Sequence, residues 1–129
     1  MSFKEQLASA KFAAVSAAQI IMEIYNNNTA EVTIKDDDSP VTQADIAADK
    51  LITNILKHHY PTYAFLTEES SDDKSRLAND FVWVVDPIDG TKDFINRTGE
   101  FTINIALVYK RRPVVGVVAI PAKNEMYFA

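Results

Sequence analysis

Residues 83–94 read "WVVDPIDGTKDF", an apolar run that leads straight into two carboxylates, a proline and a glycine. Charge at the mouth of such a run is costly unless a cation or hydrogen bonds compensate it. Two further acidic spots stand upstream: Glu68 and Glu69 follow "YAFLT", and Asp45 lies in "VTQADIAADKLI". The chain has no cysteine and two histidines. Disulfides, thiolate nucleophiles and zinc–thiolate sites are therefore excluded, and an all-oxygen donor set suits the hard cations Mg²⁺ or Mn²⁺. An Ile88 carbonyl between two aspartates can add a backbone oxygen to a first ion while Asp86 and Asp89 share a second. Two such ions about 3.5–4 Å apart clamp the attacking and leaving oxygens of a phosphoryl transfer. If "TKDF" opens a short helix, the N–H groups of Gly90 and Thr91 face an anion above it, and glycine allows close approach.

Each feature has a plainer reading. Asp45 stands three residues after Thr42 and can complete a variant capping box. Glu68, Glu69 and "KDDDS" can be solvated loop charge. Asp86 and Asp89 can be turn formers beside proline and glycine. His58 and His59 are adjacent on a helix and diverge; they suit its C-terminal end, where positive charge is favourable, and receive no catalytic role. A phosphoaspartyl mechanism is disfavoured, because that nucleophile pattern spaces its aspartates Asp-x-Asp, whereas here they are Asp-x-x-Asp.

The elements that must carry these residues follow from hydrophobic period. Phe3, Leu7, Ala10, Ala14, Ala17, Ile21 and Ile24 recur at helical steps over residues 3–25, and "YNNNT" stops the run. "AEVTIKDDDSPVTQAD" suggests a short extended segment and then a loop. Thr42 offers an N-cap to a second helix whose stripe is Ala48, Leu51, Ile52, Ile55 and Leu56, ending before Pro61. "YAFLT" and "FVWVVD" read as strands, the latter too apolar for an edge. "FTINIALVY" and "PVVGVVAIP" form a hairpin around "KRR", and "EMYFA" starts a further strand. The fold class is α+β, two N-terminal helices packed on a mainly antiparallel sheet.

The 129 residues suit one domain with a core. No apolar stretch is expected to approach the roughly 20 residues that span a bilayer, and charges through the first 21 residues argue against a secretory signal, so a cytoplasmic protein is expected. A formal charge of −5 disfavours nucleic acid as a partner. An acidic protein that handles phosphate needs cations.

At this point the chain resembles the inositol monophosphatase superfamily of Mg²⁺-dependent, lithium-sensitive phosphatases. "DPIDGT" after an aromatic-rich strand is similar to its first signature, with "EES" and "SPVTQAD" upstream in the right order. Within it, "SPVTQADIAADKLI", "DGTKDF" and "GEFTINIALV" look most like the CysQ-type 3′(2′),5′-bisphosphate nucleotidases, which remove the 3′-phosphate of 3′-phosphoadenosine 5′-phosphate. The resemblance implies the layered α/β sugar-phosphatase fold, a small-molecule phosphomonoester as substrate, two or three Mg²⁺ ions and a homodimer. It makes Glu68, Asp86 and the Ile88 carbonyl ligands of the first ion, with Asp86 and Asp89 on the second. Asp45 and Thr91 would polarise the attacking water alongside Glu68, and Asp89, Gly90 and Thr91 would hold the phosphate. Lys35 matches a lysine near an outer metal site.

Members of this superfamily are longer, and their second half supplies a "Trp-Asp" metal ligand and most of the groups that choose the substrate's organic part. Nothing here matches that motif, and the chain breaks off as a strand forms. The expectation is that residues 1–129 are the N-terminal metal-binding domain of a longer phosphatase. Inositol monophosphatase is the enzymatic alternative, and a noncatalytic phosphate- or metal-binding module is the alternative from another class.

Overall fold

In the computed structural model, residues 2–27, 40–67, 79–89 and 99–129 are described. Helix α1 spans Lys4–Asn27 and helix α2 spans Pro40–His59. The strands are β1 Ala64–Thr67, β2 Phe81–Asp89, β3 Thr102–Tyr109, β4 Arg112–Ile120 and β5 Glu125–Phe128, with a 3₁₀ turn at Pro121–Lys123. They form one sheet in the order β1-β2-β3-β4-β5. β1 runs parallel to β2 and every other pairing is antiparallel, so the expected mainly antiparallel sheet carries one parallel edge. The extended segment expected over 31–34 lies outside the described residues.

Alternation decides which face meets the helices. Trp83, Val85, Ile103, Ile105, Leu107, Val115, Val117 and Ala119 are buried and pack with the helices in one core. Each large aliphatic side chain so buried contributes about 1.5–3 kcal/mol. The other face carries Val82, Val84, Ala106 and Val108, half-buried, and the exposed Val118. On α1 the buried stripe is Ala10, Ala13, Ala14, Ala17, Ile21 and Tyr25, mostly small side chains that let the helix sit close to α2 and the sheet. On α2 it is Ala44, Ala48, Ile52 and Leu56.

Three expectations need correction. α1 is long and apolar enough over Lys4–Asn26 to meet the length and composition of a bilayer span, because its alanines raise hydropathy while serving as packing residues. α2 begins at Pro40, which suits the first helical position because its missing N–H needs no partner there. Thr42 is thus inside the first turn and not the cap, and the capping-box reading of Asp45 loses its geometry. Finally, β2 does not stop at Asp86 but runs through Pro87 and Ile88 to Asp89.

The hairpin falls as expected. Tyr109 pairs with Arg112 across Lys110 and Arg111, whose φ values of 49° and 67° match the left-handed two-residue turn that suits strand twist.

Candidate active site

Aromatic stacking fixes the direction of α2 relative to β2. Tyr60 and Tyr63, just after α2, stack on each other at 4.9 Å; Tyr63 stacks on Phe81 at 4.4 Å and Tyr60 packs on Trp83 at 5.9 Å. Gln6 Nε2 donates to the Tyr63 hydroxyl at 3.2 Å, which ties the start of α1 to the same cluster. The chain turns back between His59 and Ala64, so α2 runs against β1 and its parallel neighbour β2. The C-terminal end of α2 therefore lies at the start of β2, and its N-terminal half lies toward the end of β2. Helical rise puts Asp45 about 22 Å from Tyr60. Strand rise puts Asp89 about 20 Å from Trp83. Asp45 in the helix layer and the Asp89 end of β2 in the sheet thus lie toward the same end of the molecule. The end of β1 joins them, since Thr67 pairs with Val85. Tyr25 on Phe101, at 5.1 Å, closes the same end from α1.

The local shape of β2 comes from a bulge. Asp86 pairs with Asn104 and Asp89 with Thr102, so Pro87 and Ile88 together oppose the single residue Ile103. Pro87, Ile88 and Ile103 are all buried, which anchors the bulge in the core. A bulge also tolerates proline, because the ladder needs no N–H there. The turn-former reading of Asp86 and Asp89 therefore gives way to a bulged strand.

Asp86 is half-buried and opposed on the ladder by Asn104, while Asp45 is half-buried one turn before the buried Asp49. Each of these three aspartates makes an interaction with a partner of its own. Glu68, Gly90, Thr91 and Lys35 lie outside the described residues, as does the side chain of Asp89. Among the described residues no group of three His, Asp or Glu side chains gathers to hold a metal. The oxygen donors that are described, the Asp86 carboxylate and the Ile88 carbonyl, are of the type that hard cations take.

Sequence reasoning passed over Asp49, Thr102 and Asn104. Asp49 is 4% exposed, and Thr53 Oγ1 donates to its carbonyl at 2.7 Å. Asn104 Nδ2 donates to Thr102 Oγ1 at 3.0 Å. The signal for Asn104 was available, since asparagine is depleted in strand interiors. A cavity of about 280 Å³ between α1 and the β4–β5 turn, lined by Val15, Ala18, Met22, Ile120 and Met126, belongs to the opposite sheet edge from β1 and β2.

Residues 4–129 match the inositol monophosphatase family, and the chain belongs to it. Among its relatives, the 3′(2′),5′-bisphosphate nucleotidase CysQ of Salmonella typhimurium is 45% identical over 88% of this chain and 47% of its own length. The Escherichia coli K12 protein of the same name is 44% identical over the same shares. The crystal structure of CysQ from Bacteroides thetaiotaomicron superposes with a TM-score of 0.89 at 43% identity, covering 98% of this chain and 46% of that one. An inositol monophosphatase from Zymomonas mobilis gives 0.83 at 34% identity, covering 99% and 48%. The chain spans about half the length of the relatives it matches.

Proposed function

We propose that this chain supplies the metal-binding half of a phosphomonoesterase that removes the 3′-phosphate of 3′-phosphoadenosine 5′-phosphate, a 3′(2′),5′-bisphosphate nucleotidase. The observation that carries the reading is the bulged acidic end of β2, in a chain 45% identical to a nucleotidase of that name. The family is generally one of metal-dependent phosphatases. The donor set fits Mg²⁺: carboxylates and a carbonyl, with no thiolate in the chain. Glu68, Asp86 and the Ile88 carbonyl would hold one ion, and Asp86 with Asp89 a second. Bound there, such ions acidify water and offset charge on the leaving oxygen.

The chain's own groups do the rest. Asp45 and Thr91 would orient the attacking water, the Asp45 carboxylate would take its proton, and the N–H groups of Gly90 and Thr91 would hold the phosphate in line. Lys35 would stand near an outer ion. Water attacks phosphorus directly, without a covalent enzyme intermediate. A cytoplasmic site of action, a homodimer and inhibition by Li⁺ belong to the same reading.

The test is phosphate release, in Mg²⁺, from 3′-phosphoadenosine 5′-phosphate and from inositol 1-phosphate. Release from the nucleotide, abolished in Asp86→Ala and inhibited by Li⁺, is expected. Preference for inositol 1-phosphate would reassign the substrate, and Mg²⁺ binding without release from either would reduce the chain to a noncatalytic module.

A further inference from the structure

Thr102 and Asn104 sit on the open face of the sheet, where β3 continues with Ala106 and Val108 and β2 carries Val82 and Val84 before Asp86. The two polar residues fall at the two positions that pair with Asp89 and Asp86. Directly opposed residues on an antiparallel ladder share a face, with Cβ atoms about 4.5–5.5 Å apart, so the Asn104 amide is within reach of the Asp86 carboxylate. The amide nitrogen carries two protons. One goes to Thr102 Oγ1 at 3.0 Å, the amide's one side-chain hydrogen bond among the described residues, and the second N–H is open to an acceptor. A carboxylate accepts only, so a donor opposite it sets its rotamer, and a half-buried asparagine is an expensive choice in a strand unless it has such a use.

We propose that Asn104, held by Thr102, is a positioning residue that orients the Asp86 carboxylate for the cation. The inference rests on the metal-dependent reading of the site and adds a residue to it. Outer partners of a metal's carboxylates typically change affinity by about 10–100-fold when removed.

The experiment is calorimetric titration of the protein with Mg²⁺ alone, beside substrate kinetics at saturating Mg²⁺, for the unmodified protein, Asn104→Leu and Thr102→Val. Asn104→Leu should weaken the Mg²⁺ Kd by about 10-fold or more. Its KM for substrate should stay in place and its metal-free melting temperature should be unchanged. Thr102→Val, which removes only the hydroxyl that steadies the amide, should shift Kd in the same direction by less. An Asn104→Leu protein with unaltered Mg²⁺ Kd overturns the proposal, as does a KM that moves while Kd does not. Should Asn104→Leu fail to fold, Thr102→Val decides by the same two readings. If the unmodified protein binds Mg²⁺ yet releases no phosphate, the enzymatic reading fails while the ratio of Kd values still judges Asn104.

Discussion

Asp86→Asn separates a carboxylate kept for a cation from one kept for the fold. The side chain is half-buried at the bulged end of β2, between Val85 and Pro87 in the chain, and the next acidic residue is Asp89. If the charge serves a cation, the metal-free fold does not depend on it, and its removal should change metal-free stability by less than about 1 kcal/mol. Unfolding entropy near 2.1 cal/mol/K per residue gives about 0.27 kcal/mol/K for 129 residues, so that change reads as less than about 4 °C in Tm. The unmodified protein, titrated to Mg²⁺ at 100 times its Kd, gains about 2.7 kcal/mol by linkage, or about 10 °C. Asp86→Asn should lose most of that shift. Thermal melts followed by far-UV circular dichroism, with and without Mg²⁺, measure both quantities on four samples. A variant that melts lower without metal and keeps its Mg²⁺ shift would refute the reasoning, because Asp86 would then be a structural residue of the bulge.

Three further outcomes follow from the packing. Gly99 has φ of +80°, and a Cβ there would sit 3.4 Å from the Ala122 Cβ, so Gly99→Ala should cost about 1–2 kcal/mol and lower Tm by about 4–7 °C in a thermal melt. Trp83 is fully buried and its Nε1 has no acceptor among the described residues, so Trp83→Phe should cost less than about 2 kcal/mol in urea unfolding, well under the 3–5 kcal/mol typical of aromatic truncation to alanine. Lys123 bonds Glu100 at 3.0 Å on the open surface, and that bond holds the lysine above its ordinary value. A group raised on folding stabilises below its unfolded pKa and stops doing so as pH climbs through the folded one. Any difference between the unmodified protein and Lys123→Gln in low-salt melts should therefore be full at neutral pH, fade in strong alkali and vanish at physiological salt.

Much of the fold was legible because period and burial agree. The helical stripes through Ala10, Ala14, Ala17 and Ile21, and through Ala48, Ile52 and Leu56, are buried as spaced. The hairpin around Lys110 and Arg111 needed only two β-rich runs and a short polar gap. The start of α2 was misplaced by reading threonine as a cap when Pro40 already occupied the first turn. The parallel pairing of β1 was not legible, because alternation along a four-residue strand says which face is buried and nothing about its neighbour's direction. At the site, the acidic residues announced themselves by charge in apolar surroundings, whereas Asn104 and Thr102 act through register, which no local pattern displays.

The bulge explains why the spacing at this site is Asp-Pro-Ile-Asp. On a regular strand, residues three apart fall on opposite faces, so an unbulged β2 would divide positions 86 and 89 between core and open face. One extra residue restores the register: position 89 meets Thr102 just as 86 meets Asn104, and the intervening pair turns inward against Ile103. Proline is suited to that pair because it has no N–H to leave unpaired where the ladder is interrupted. The inward pair also gives the site its rigidity, since Pro87 and Ile88 are fixed by core packing and the backbone oxygen between the two acids moves only if the core does. An Asp-x-x-Asp spacing that looks wrong for a strand is thus what a bulged strand requires, and the same spacing on a loop would lack the anchor.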